Sequence, residues 1–311
     1  MTAMNSFSVE DWRTLLMAVS LINIVAWAVA ATVLARQRLG VDVAQARALV
    51  LRRTLLWLSA GYVLGCAYRS CWPVYDIPRL VMVDSWMSSA IVGRSVATVA
   101  ELCFVAQWAL LLRWAALASG ARFVAGVAAL LLPMVAVAEL CSWYSVLSTS
   151  NLGHVFEESL WGLGAALATA AMFVLRRHHA PRVQRWLLAS GLVGCAYVAY
   201  MFTQDVPMYW ARWRADEAAG RVYLDFAQGL ADAARHWTVS TSWQDWGGEV
   251  VWMTLYFSLA VWMSIALVHL PLPGGRHEPR GAQDEPDRFH RALRIGAVPA
   301  ADASRHARQR S

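Results

Sequence analysis

The sequence predicts an all-α integral membrane protein, a bundle of about seven transmembrane helices with its N-terminus outside and its C-terminus inside. Three observations predict it. Of 311 residues, 58% are hydrophobic and the mean hydropathy is +0.41, too apolar for an ordinary soluble domain. Apolar runs of about 18 residues or more recur, each long enough to cross a hydrocarbon core of about 30 Å as a helix. Arginine concentrates in alternate connecting segments, although Arg212, Arg214, Arg221 and Arg235 fall in one long segment on the opposite side.

The predicted spans run over roughly 15–35, 54–69, 87–112, 123–144, 160–175, 186–203 and 249–270. The first has Glu10, Asp11 and Arg13 before it and Arg36 and Arg38 after it. It therefore lacks the positive leading region of a cleaved signal peptide. Gly61 and Gly65 form a GxxxG face in the second span, and Gly191 and Gly194 give the sixth a small-residue face. Pro133 is expected to bend the fourth span ahead of Glu139. No internal repeat is visible, which weighs against transporters built from repeated halves.

With the N-terminus outside, the inner connections hold Arg36, Arg38, Arg47, Arg52 and Arg53, then Arg113 and Arg122, then Arg176, Arg177, Arg182 and Arg185. Residues 1–270 form the membrane domain, and 271–311 read as a basic, disordered cytoplasmic tail. The pattern suits a bacterial inner membrane. The net charge of +6 then reflects inner segments facing anionic lipid, so membrane lipids are the expected partners and nucleic acid is not.

On the outer side, 71–79 is turn-rich, and 205–248 is a long loop expected to cover a site beneath it. Within that loop Val222, Phe226, Gly229, Leu230 and Ala233 recur at helical spacing opposite Asp225, Gln228 and Asp232, as in an amphipathic helix on a membrane surface. Cys71 and Cys141 both fall near the outer surface, close enough in level for a disulfide in an oxidising compartment. Tryptophan and tyrosine concentrate at that level, an interfacial belt in the first instance.

The informative residues are acids inside the spans. A carboxylate at mid-membrane costs about 2.5–3.5 kcal/mol to insert, so Glu101 and Glu139 are expected to be protonated, paired or facing a watery cavity. Arg94, Thr98 and Glu101 share one face of the third span, being four and three residues apart. Glu139 lies near the outer end of the fourth span, His154, Glu157 and Glu158 open the fifth, and Asp205 ends the sixth. The inner halves hold nothing comparable.

Carboxylates with an imidazole on adjacent helices make a hard ligand set for Zn, Mn or Fe. In that reading Glu101, Glu139, His154 and Glu157 are metal ligands, Glu158 or Asp205 is the catalytic base, and Arg94 binds an anionic part of the substrate. Each residue also has a plainer reading: a buried Glu101–Arg94 pair, a solvated Glu139, an interfacial His154, early-turn acids at 157 and 158, and a helix-end Asp205. All 27 basic residues are arginine, which excludes a retinal Schiff base. Haem is disfavoured because His154 and His236 fall on the outer side, His269 at the inner end, and His178 and His179 in an inner basic loop, which leaves no matched pair within the spans. The sequence thus points to a membrane-embedded, metal-dependent enzyme acting on a lipid-like substrate. A proton-coupled transporter and a non-catalytic sensor or assembly factor with a ligand pocket remain the alternatives.

Overall fold

The computed structural model describes residues 7–37 and 43–270. The tail at 271–311 lies outside the described residues. Among the described residues, seven helices are long and apolar enough to cross a membrane.

Helix α1 (Val9–Ala35) starts at a capping box in which Ser8 and Asp11 satisfy each other's backbone N–H groups. It is followed by α2 (Val43–Cys71), α3 (Ala90–Ser119), α4 (Arg122–Ser148), α5 (Leu152–Arg176) and α6 (Pro181–Tyr200). Several run past the predicted spans, because a helix continues into the polar interface where hydropathy no longer marks it. The largest difference is in the sixth span. Helix α6 passes through a π-helical turn at Met201–Asp205 into α7 (Val206–Ala218), giving one continuous helix over Pro181–Ala218. The first part of the expected loop is therefore helix. Helix α4 is unbroken through Pro133.

Each of α1 to α6 packs against its neighbour in sequence. The GxxxG expectation holds, since Gly61 lies against Cys103 and Gly65 against Ala100 of α3. Gly191 and Gly194 lie against Phe173 and Thr169 of α5. The last span consists of α10 (Val250–Leu255), a second π-helical turn at Tyr256–Ala260, and α11 (Val261–Val268). It packs against α1 and α2 and touches α3, whereas α6 packs against α5.

One end of the bundle carries a cap. Strands β1 (Val74–Tyr75) and β2 (Leu80–Val81) pair antiparallel, and β3 (Thr238–Val239) joins β2 in parallel. Helix α8 (Phe226–Arg235) begins at a second capping box formed by Asp225 and Gln228, and α9 (Trp243–Trp246) precedes the last span. The stripe expected to lie on a membrane surface turns partly inward. Gly229 and Ala233 are buried, with Gly229 against the Leu147 backbone of α4, while Phe226 and Leu230 stay exposed. Arg79, at φ 55°, fastens the cap by donating to Asp232, to the Asp76 carbonyl and to the Val146 carbonyl. Cys71 and Cys141 are both free thiols.

Candidate functional site

A carboxylate–guanidinium centre lies inside the bundle, in the half nearest the cap. Arg94 and Glu101 are seven residues apart on α3, about 10 Å of axial rise, and they meet by reaching toward each other. Arg94 Nη2 lies 3.2 Å from Glu101 Oε2 and 2.7 Å from Glu139 Oε2 on α4, and Nη1 lies 3.4 Å from Glu157 Oε1 on α5. Glu101 is about 17 Å along α3 from its start, well inside the span. Arg94, Glu101, Glu139 and Glu157 are all buried.

Further polar groups hold the carboxylates. Thr98 donates to Glu139 Oε2 at 2.6 Å, and Trp143 Nε1 donates to the Thr98 hydroxyl. Tyr256, in the π-helical turn of the last span, donates to Glu101 Oε1 at 3.0 Å. His154 Nδ1 is 2.6 Å from Glu157 Oε2, and its ring lies 4.9 Å from that of Tyr209. Gly153, against the Cys141 carbonyl and Ser145, lets α5 approach α4 closely enough for these contacts.

The centre is short of positive charge. Three carboxylates meet one guanidinium, a formal charge of −2 before His154 is considered. Burial without compensation is expensive for such a group, so a proton, a cation or a cationic ligand is needed. Glu139 Oε1, Arg94 Nε and Ser142 Oγ are buried without a hydrogen-bond partner. Among the described residues, every other partnerless buried side-chain atom except those of Arg52 and Trp114 also lies in this half, on Arg69, Asp76, Ser88, Ser89 and Arg212. Native interiors leave few such atoms unpaired, and their clustering marks a polar interior able to take up water or a ligand.

The seven predicted site residues divide into two groups. Arg94, Glu101, Glu139, His154 and Glu157 form one connected network. Glu158 follows Glu157 on α5 and so points about 100° away from it, toward Asp205 and Tyr197. Asp205 is buried in the π-helical turn that ends α6.

These two acids lie beside the centre. Gly191 is the buried residue of α6, while Tyr197 and Tyr200 are 42% and 43% exposed although both neighbour Glu158 and Asp205. Trp252, packed edge-on against Tyr256, is 37% exposed on the last span. Because α6 rests on α5 and the last span rests on α1 and α2, these two helices share no extended packing face. Each holds a π-helical turn, carrying Asp205 in one and Tyr256 in the other; such turns are frequent at functional sites.

The cap closes over this region. Arg212 of α7 lies 4.0 Å from Glu249 at the start of the last span and stacks over Tyr75 and Tyr209. Burial pushes the Glu249 carboxyl above its ordinary value despite Arg212. Burial and the charge of Glu249 push the Tyr75 hydroxyl up to about 12.

A metal is testable against this donor set. One oxygen from each of Glu101, Glu139 and Glu157 lies within 4.8 Å of the others, which suits a hard divalent cation, and Glu139 Oε1 is unspent. His154 stands behind Glu157 rather than in the oxygen cluster. Arg94 already draws on an oxygen of each carboxylate, so a cation would have to sit beside the guanidinium or in its place.

Sequence reasoning missed Tyr256, Trp143, Ser142 and Arg69. Ser142 was the most accessible of these, three residues after Glu139 on the same helix face. No family model, curated protein or solved structure matches the chain.

Proposed function

We propose that the protein is a membrane-embedded enzyme that acts on a lipid-like substrate reaching the acid centre sideways, from the bilayer, between α6 and the last span. The observation that carries this reading is a buried, charge-deficient carboxylate centre beside two helices that share no extended packing face. A lipid enters a bundle between helices that do not pack on each other, and its reactive group then meets Glu158 and Asp205. These two acids serve as general acid and base. Tyr197, Tyr200 and Trp252 hold the apolar portion.

Glu101, Glu139 and Glu157, with His154 orienting Glu157, would hold a divalent cation (Zn, Mn or Fe), which would supply Lewis acidity. Arg94 serves to gather the carboxylates and limit their repulsion, in place of the substrate contact expected from sequence. The arginine distribution supports a bacterial inner membrane with the cap outside.

The carrier reading needs protonatable groups continuing to the far end. Among the described residues, the buried polar groups beyond Glu101 are Gln107, Ser59, Ser264, Asn23 and Thr169, none of which titrates. Gln107 and Ser264 are bonded to each other, to Ser59 and to the Leu55 carbonyl, while Asn23 bonds the Phe257 carbonyl. That network suits packing better than proton transfer.

Elemental analysis of detergent-purified protein tests the cation. Near-stoichiometric metal is expected in wild type and is expected to vanish in Glu139→Gln. Wild type that folds but takes up no metal after reloading sinks the ligand assignment. Glu101→Gln separates the function classes: it abolishes turnover in an enzyme, shifts the pH dependence of flux in a carrier, and changes only affinity or stability in a sensor.

A further inference from the structure

The opposite end of the bundle carries a groove unrelated to the acid centre. It lies between the last turns of α5 and the first of α6, encloses a volume of about 430 Å³, and is lined by Phe173, Arg176, Arg177 and Gln184. The two helices meet at Gly191, where the Phe173 ring lies against the glycine. The connecting turn is pinned, because His179 Nδ1 bonds the Leu175 carbonyl and Gln184 Nε2 donates to the His179 carbonyl.

Along the α5–α6 stretch of sequence the charge is of one sign. No acidic residue occurs between Glu158 and Asp205, while Arg176, Arg177, Arg182 and Arg185 all fall in that interval. None of the four forms an ion pair among the described residues. The groove sits where a spanning helix ends, and Trp186 in the first turns of α6 is 70% exposed, as at a headgroup boundary. Its lining joins one aromatic side chain to two arginines, whose guanidiniums are planar donors matched to phosphate.

We propose that this groove binds the phosphate headgroup of an anionic membrane lipid, with an acyl chain running down the α5–α6 seam past Phe173. Basic pockets between membrane helices recognise such headgroups through these elements. The site is independent of the proposed chemistry at the other end.

Native mass spectrometry of the purified protein in neutral detergent tests it, with phosphatidylglycerol, cardiolipin, phosphatidylcholine and inorganic phosphate added separately. Retained phosphatidylglycerol or cardiolipin, without retained phosphatidylcholine, is expected. Arg176→Gln with Arg177→Gln is expected to weaken retention about 25-fold, about fivefold per arginine. Lysine at both positions is expected to keep most of it, and Arg113→Gln, outside the groove, to leave it unchanged. Circular dichroism confirms that each variant is folded. Equal retention of phosphatidylcholine, or undiminished binding in the folded double glutamine variant, overturns the proposal. Displacement of the lipid by millimolar inorganic phosphate overturns the lipid as its natural occupant.

Discussion

Replacing Arg94 with glutamine leaves Glu101, Glu139 and Glu157 facing one another without the guanidinium that now contacts all three at 3.2, 2.7 and 3.4 Å. The Arg94 side chain is only 6% exposed, so water compensates little. Removing one member of a buried ion pair typically costs about 3–5 kcal/mol. Against a total stability of about 5–15 kcal/mol, that is a large fraction. The matching fall in melting temperature is on the order of 6–20 °C. Tryptophan fluorescence during thermal unfolding in detergent reads it directly, since the chain has 17 tryptophans. Pairing Arg94→Gln with Glu139→Gln removes a negative charge as well as the positive one. The double variant should recover part of the loss, with a coupling of about 0.5–3 kcal/mol. A single variant that melts within a degree of wild type, or a double variant no more stable than the single, refutes the idea that Arg94 holds the carboxylates together.

Three further outcomes follow from the geometry. Although burial raises it, hydrogen bonds from Arg79 and His236 hold the Asp232 carboxyl below its ordinary 3.8. Its stabilisation is therefore present above that value and lost as pH falls through the lowered one; Asp232→Asn should cost about 1.5–3 kcal/mol at pH 7 and nothing at a pH where wild-type Asp232 is itself protonated, as read by melting curves. Glu249 is the opposite case. Its raised carboxyl favours folding below the ordinary 4.5 and loses that contribution as pH rises, so Glu249→Gln should melt higher than wild type at pH 8 and equally at pH 4. Gly153→Ala places a methyl against the Cys141 carbonyl and Ser145; it should destabilise by about 1–3 kcal/mol and reduce metal uptake by displacing His154 and Glu157.

Much of this centre was legible from helical spacing. Arg94, Thr98 and Glu101 fall on one face of a long apolar helix, and a buried acid has few ways to be tolerated, so their convergence with Glu139, His154 and Glu157 followed from depth alone. Glu158 was not separable from Glu157 by depth. Only the 100° step between consecutive helical residues sends one to Arg94 and the other to Asp205. The two π-helical turns leave no hydropathy signature, which is why Tyr256 did not emerge as a partner of Glu101. Helix α7 escaped because its charges, such as Arg212, Arg214 and Asp216, resemble a loop once hydropathy is averaged. The inward turn of α8 depends on Gly229 meeting Leu147, a contact no periodicity encodes.

The most direct test of the account is lipid turnover by protein reconstituted into vesicles made from a total bacterial lipid extract, followed over time by mass spectrometry. Wild type should convert a lipid species, and Glu158→Gln and Asp205→Asn, folded and metal-loaded, should each slow that conversion at least a hundredfold. Lipid composition that stays constant with metal-loaded wild type, or conversion that proceeds equally in both variants, contradicts the account.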